Sequence, residues 1–402
     1  FSAHSSPDLD RLELTNQSLL DAVRALAFTQ ENGVRRAVDY RNLDSEELGS
    51  VYESLLELHP QVNVPAQRFE LNSGAGSERK TTGSHYTPTS LVECLLDSAL
   101  EPVVTERLAK AREKDGKTER QEDKMKTPVI QSSGHPVILS SEERAVLSIK
   151  VLDPACGSGH MLIGAARRLA RHLARLRTGD EEPAPEALRT ALREVVRHCI
   201  YGVDLNETAV ELCKVALWME TLEPGKPLSF LDSHIRCGNS LIGVFNLEDM
   251  EESIHDEAFV ALSGDDKASA SRIKKRNSQE RKQNQQLSLL ATMDEGDLVS
   301  GFRSLSSQPE ETAAEVAEKA QRYATLRQQE QWQNEQMACH LWTAAFFAQF
   351  SGNAKSDERI ATTADLRQFL ANPQSLDAAK LAYARERAER HAFFHWCLEF
   401  PD

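Results

Sequence analysis

The chain has 402 residues, 62 of them acidic and 47 basic, and a formal net charge of −15. That balance excludes a generic polyanion binder, although an acidic enzyme can still meet DNA through a local basic face. Hydrophobic residues make up 40 %, and no apolar run reaches the ~20 residues of a membrane span, which predicts a soluble protein. The length can bury a sizeable core and suggests more than one domain.

The seven cysteines are scattered and form no Cys-x-x-Cys pair, so neither a zinc site nor a disulfide framework is suggested. Cys199, Cys213 and Cys237 have apolar neighbours and are expected to be buried small hydrophobes. No targeting peptide is evident, so the cytoplasm is the default location. Phe1 is not a start methionine, and Phe400-Pro401-Asp402 ends abruptly, which suggests a piece of a longer protein.

Residues 1–65 read as helical. Leu19, Leu20, Val23, Leu26 and Ala27 recur at helical spacing, and Asp44-Ser45-Glu46-Glu47 looks like a capping box opening a second helix. Arg79 to Pro88 is a loop rich in glycine and hydroxyl residues before an amphipathic helix with Leu91, Val92, Leu95 and Leu96 on one face. Such a loop can present N–H and hydroxyl groups to an anion. Taken alone, Thr87-Pro88 reads first as a plain helix-capping turn. Residues 105–145 are dense in charge and read as an insertion loop.

Ile149 to Leu152 reads as a buried strand and Met161 to Arg177 as a helix. The turn between them, Asp153-Pro154-Ala155-Cys156-Gly157-Ser158-Gly159-His160, carries two glycines. They let backbone N–H groups approach a ligand with no Cβ in the way. Strand, glycine turn and helix N-terminus make a nucleotide-type site, yet the dinucleotide spacing is not met, so an NAD reading is weak. A second strand, Cys199-Ile200-Tyr201-Gly202-Val203-Asp204, ends in an acid, with Leu205 next and Asn206 as the N-cap of a following helix. An acid there can accept both hydroxyls of a ribose. Gly238-Asn239-Ser240-Leu241 is a third such turn, where an amide oxygen can accept from an amino group. Asp232 and His234 read as loop-structuring groups.

Residues 250–335 turn polar, with Arg272, Lys274, Lys275, Arg276, Arg281 and Lys282 as the most basic stretch. A solvated helix or mobile linker is expected, with contact to DNA phosphates as the alternative. From His340 apolar residues return, ending in Phe393, Phe394, Trp396 and Phe400.

Asp153 to His160 resembles the S-adenosylmethionine-binding motif I of N6-adenine DNA methyltransferases. It is most similar to the large type IIG and type I restriction–modification and phage-defence enzymes. Tyr86-Thr87-Pro88 resembles their motif X, Gly202-Val203-Asp204-Leu205-Asn206 motif II, and Gly238-Asn239-Ser240-Leu241 motif III. Asp39 to Glu53 resembles the lead-in to motif I, read here as scaffold, and Phe394 to Pro401 the approach to the catalytic motif.

The resemblance implies an α/β fold: a Rossmann-like, mostly parallel methyltransferase sheet preceded by a helical region. It implies S-adenosylmethionine as cofactor and no metal. Tyr86, Thr87 and Pro88 would hold its methionine carboxylate. Asp153, Pro154, Ala155, Cys156, Gly157 and Gly159 would form the cradle. Asp204 would take the ribose, Leu205 and Asn239 the adenine, and Ser240 would complete the third turn. The catalytic Asn/Asp-Pro-Pro-aromatic tetrapeptide is absent, and Asn372-Pro373-Gln374 is not one. The expected divisions are a helical region 1–78, a cofactor-binding core 79–250, a charged helical or mobile insertion 251–338 and a return to the core 339–402. The implied function is the cofactor-binding part of a site-specific adenine methyltransferase acting on duplex DNA, inactive on its own, alongside other restriction or defence subunits. The alternatives are a non-catalytic cofactor-binding regulatory module and a methyltransferase for RNA or protein.

Overall fold

The computed structural model describes residues 15–31, 33–38, 49, 51, 58–63, 68–73, 87–118, 129–130, 136–137, 139–250, 253–283 and 295–401. The expected capping box at 44–47 and the candidate Tyr86 lie outside these residues.

The N-terminal region is only partly helical. Helix α1 (Asn16–Ala27) forms as expected, with Thr15 capping the N–H of Ser18. Its apolar stripe is exposed, and no residue of α1 is buried among the described residues. Two antiparallel ladders then replace the expected helix: β1 (Phe28–Glu31) with β2 (Val34–Ala37), and β3 (Leu58–Asn63) with β4 (Arg68–Ser73). Asn32-Gly33 is a two-residue hairpin signal, and Gly33 has φ 79°, which a two-residue turn of this kind requires.

Helix α2 (Thr89–Leu95) runs through a π turn at Leu96–Leu100 into α3 (Glu101–Thr118). Part of the expected insertion loop is therefore a helix. Val104, Leu108 and Ala111 lie at helical spacing and face the core, which the surrounding charges disguise in the sequence. A short ladder of β5 (Val129–Ile130) and β6 (Pro136–Val137) precedes α4 (Ser141–Leu147), which opens with a Ser140–Glu143 capping box.

The sheet that positions the site has three parallel strands in the order β7 (Val151–Asp153), β8 (Ile200–Asp204), β9 (Ile235–Cys237). Ile200, Tyr201, Gly202 and Val203 of β8 are all buried, as a central strand requires. Helix α5 (His160–Thr178) starts at Gly159 and stops at Gly179, both in the left-handed region. Its buried face runs from Leu162 through Leu169 to Ala174. Helix α6 (Pro185–Cys199) packs on α5, and α7 (Glu207–Glu220) follows β8. His234 is buried, stacked on Tyr201 with its Nδ1 3.0 Å from the Ile200 carbonyl, and Asp232 takes the ammonium of Lys214 at 2.5 Å. Both are structural groups. Cys199 and Cys213 are buried, but Cys237 is exposed. It is the last residue of β9, where the chain leaves the core.

From Lys267 onward the described chain is mainly helical: α8 (Lys267–Gln283), α9 (Glu295–Ser306), α10 (Ala313–Gln328), α11 (Glu330–Phe346), α12 (Ala354–Asp357), α13 (Thr363–Ala371), α14 (Ala378–His391) and α15 (Trp396–Glu399). These helices carry two apolar cores, and the second brings Phe302, Tyr323, Leu326 and Trp332 against Phe230 and Val244. A buried carboxylate, Glu310, joins this lobe to the sheet. It accepts from Lys319 at 2.6 Å and from the Phe230 N–H at 3.2 Å, with Arg197 3.4 Å away. A second clasp pairs Glu399 with Arg236 of β9 and, bidentately, with Arg327 of α10.

Candidate cofactor-binding site

The three carboxyl ends of β7, β8 and β9 bring the motif I, II and III turns to one edge of the sheet. Asp153 closes the first turn by accepting from the Ala155 N–H at 3.0 Å, while Pro154 and Ala155 are exposed. The Cys156 N–H donates to the Val203 carbonyl at 2.9 Å, which ties the turn to β8. Gly157 and Gly159 have φ of 53° and 87°, conformations that suit glycine. Gly159 also has no room for a side chain, because a Cβ there would lie 2.6 Å from the Cys213 sulfur.

Asp204 is the link between turns. One carboxylate oxygen accepts from the Gly157 N–H at 2.9 Å, and the other from the Asn206 N–H at 2.8 Å. Asn206 in turn caps α7 by accepting from Thr208 and Ala209. Burial pushes the Asp153 carboxyl above its ordinary range, and the charge of Asp204 adds to that rise. Beside Asp204, Leu205 is 60 % exposed, an apolar platform in the mouth of the edge.

The third turn hangs from the second, since the Gly238 N–H donates to the Asp204 carbonyl at 2.9 Å. The side-chain oxygen of Asn239 accepts from the Leu241 N–H at 3.1 Å, which leaves one lone pair on that oxygen and the amide nitrogen. Ser240 accepts the indole N–H of Trp396 on its carbonyl at 3.0 Å.

Thr87 and Pro88 belong to the segment before the sheet. They precede α2, which packs on α5 where Gly164 leaves space: a Cβ there would lie 2.8 Å from Val92. Arg168 of α5 grips Glu93 of α2, Asp97 of the π turn and Glu101 of α3. Among the described residues no hydrogen bond joins Thr87 or Pro88 to the glycine turn.

Two contributions escape a reading of the sequence. Gly49, from the segment read as scaffold, is buried against the turn, since a Cβ on it would lie 2.8 Å from the Ser158 hydroxyl oxygen. Phe394 fills the space beside Gly238, which a Cβ would enter at 2.6 Å. The only sequence signal for either is a glycine where a side chain would be tolerated in an open loop.

A parallel sheet whose strand ends hold a glycine turn, a bridging acid and an exposed apolar residue is an α/β cofactor-binding fold. Residues 125–254 match the family model described as "MmeI, DNA-methyltransferase domain", and this segment is a methyltransferase domain of the MmeI type. It spans all three turns but not Thr87. The chain is 29 % identical over 214 residues to "Putative type II restriction enzyme and methyltransferase RM.MjaORFECS2P" of Methanocaldococcus jannaschii, covering 50 % of this chain and 17 % of that protein. It is 31 % identical over 104 residues to "Adenine-specific methyltransferase PglX" of Streptomyces coelicolor, covering 23 % of this chain and 8 % of that protein. The alignments thus span less than a fifth of the length of these relatives. No solved structure matches. Among the described residues no helix is long and apolar enough to cross a membrane.

Proposed function

We propose that this chain is the S-adenosylmethionine-binding part of a site-specific DNA adenine-N6 methyltransferase of a restriction–modification or phage-defence system. The observation that carries the reading is Asp204. Its carboxylate holds the glycine turn through the Gly157 N–H and faces the sheet edge beside exposed Leu205. A carboxylate has about four acceptor sites, and two remain for ribose hydroxyls.

The residues present fit the cofactor. Asp204 would bind ribose, Leu205 would lie against adenine, and Asn239 with Ser240 would meet the adenine edge. Asp153 to Gly159 would cradle the methionine moiety, whose carboxylate Tyr86, Thr87 and Pro88 would hold. The bound cofactor supplies an electrophilic methyl on a sulfonium. The chain's own task is to fix that group in place and exclude water. Duplex DNA with a target adenine is the proposed substrate, the base being flipped out for reaction, and further restriction or defence subunits are the proposed partners. No Asn/Asp-Pro-Pro-aromatic tetrapeptide occurs in the sequence to hold the adenine amino group.

Calorimetry with S-adenosylmethionine tests the reading. Asp204→Ala should weaken binding by about 1–3 kcal/mol through the lost charged acceptor, and an unchanged affinity would remove Asp204 from the site. Residues 1–402 alone should transfer no radiolabelled methyl to DNA. Clear transfer would refute the view that the amino-binding group lies outside this chain.

A further inference from the structure

The Asn239 turn is irregular backbone, and most of its polar groups are met by one distant segment, Ala392–Trp396. The Asn239 N–H donates to the Ala392 carbonyl at 2.7 Å, and the Phe394 N–H donates to the Ile242 carbonyl at 2.8 Å. The Val244 N–H donates to Nδ1 of His395 at 3.1 Å, and the Trp396 indole N–H to the Ser240 carbonyl at 3.0 Å. Asn239 and Phe393 pair as a parallel bridge. Packing follows the same pattern, because Gly238 lies directly against the Phe394 side chain and Gly243 against the Phe394 backbone carbonyl.

His395 is the pivot. It is 3 % exposed, and its Nδ1 accepts from a backbone N–H, which assigns its proton to Nε2. That nitrogen lies 2.8 Å from Nδ1 of His340 on α11, so it donates there. The turn is therefore fixed to the helical lobe and not only to its own sheet. Ala392 holds φ 50°, the one non-glycine residue with positive φ among the described residues, and its carbonyl is the one that holds Asn239. A strained residue persists only where its surroundings over-determine it.

We propose that Ala392–Trp396 is the template that positions the Asn239 turn for the adenine half of the cofactor, with His395 as its positioning residue. This rests on the reading that the turn meets S-adenosylmethionine. Nothing in the segment has to touch the cofactor. It sets where Asn239 and Ser240 stand, and it links cofactor binding to the order of α11 and α14.

The test uses the full 402-residue chain, calorimetric titration, and two probes: S-adenosylmethionine, and 5′-methylthioadenosine, which has adenine and ribose but no carboxylate. His395→Ala leaves the buried Val244 N–H without an acceptor, and both probes should bind about tenfold more weakly. His395→Asn offers an oxygen to that N–H and should bring both affinities back to within about twofold, although its contact to His340 is gone. Rescue of this kind separates positioning from general destabilisation. Trp396→Phe keeps an aromatic ring against Phe394 and Phe400 but removes the bond to Ser240, so about threefold weakening is expected even if His395→Ala fails to fold. Wild-type protein that binds neither probe would sink the cofactor reading itself. Wild-type protein that binds both, with folded His395→Ala and Trp396→Phe binding equally well, would overturn the positioning role alone.

Discussion

Gly159→Ala is the sharpest test of how the glycine turn is built, because Gly157→Ala is its internal control. Both glycines have positive φ, so alanine at either position meets the left-handed penalty of about 1–2 kcal/mol. At Gly157 that is the whole cost, since nothing lies within 4 Å of a Cβ there. At Gly159 the new methyl would stand 2.6 Å from the Cys213 sulfur and 3.5 Å from its Cα, inside a helix that cannot retreat. Overpacking of this kind adds about 1–3 kcal/mol, for a total of about 2–5 kcal/mol. Urea unfolding of the cofactor-free protein, followed by far-ultraviolet circular dichroism, reads the difference as a lower midpoint at unchanged slope. Cys213→Ala removes the obstructing atom. The double variant should therefore recover the overpacking part and show a coupling energy of about 1–3 kcal/mol. Equal losses at Gly157 and Gly159, or no coupling with Cys213, would refute the close approach of α7 to the turn.

Three further outcomes are expected. Ala392→Gly should stabilise the fold by about 0.5–1 kcal/mol, since relief of the left-handed penalty exceeds the entropy glycine loses on folding; a lower urea midpoint would contradict it. Lys319→Met should destabilise by about 3 kcal/mol, because it strips the fully buried Glu310 of its nearest cation, and Lys319→Met with Glu310→Gln together should cost less than Lys319→Met alone. Burial holds His198, His234 and His395 down to about 3 and His340 to about 4. Their folded values lie below the ordinary unfolded value near 6.5, so the unfolded chain takes up protons first as pH falls. Stability should therefore decline from about pH 6.5 toward 4, by up to about 1.4 kcal/mol per pH unit for each group. An unfolding free energy that stays flat between pH 7 and pH 5 would count against four imidazoles held neutral in the fold.

Local chemistry explains what was legible in the sequence. Asn206 caps α7 because its side chain reaches the N–H groups two and three residues on, an interaction written within four letters. The amphipathic period of α5 and its two bounding glycines are equally local. Contacts between distant segments were not legible. Phe394 and Gly238 are 156 residues apart, and no periodicity reports that one fills the space the other leaves. In α3 the signal was present but outweighed to the eye, since Val104, Leu108 and Ala111 keep helical spacing among many charges. Cys237 was placed in the core by its neighbours, yet a strand's last residue follows the chain outward.

Asp204 has to be understood as two things at once, and the difference is measurable. As a structural acceptor it fixes the Gly157 and Asn206 N–H groups, so its removal should loosen the turn with no cofactor present. As a ribose acceptor it would matter only when the cofactor is bound. Asp204→Asn separates the roles, because the amide keeps one oxygen for one of those N–H groups but presents a donor where the second accepted. If the carboxylate served the turn alone, the affinity lost by Asp204→Asn should equal the free energy of misplacing the turn, and a variant that disturbs the turn from elsewhere, such as Gly157→Ala, should lose as much. If the carboxylate also takes the ribose, Asp204→Asn should lose affinity for the ribose-containing probes beyond that amount, by about 1–3 kcal/mol for a hydrogen bond to a charged acceptor. Equal losses in the two variants would leave Asp204 as a buttress, and the ribose would need another partner at the carboxyl edge of β8.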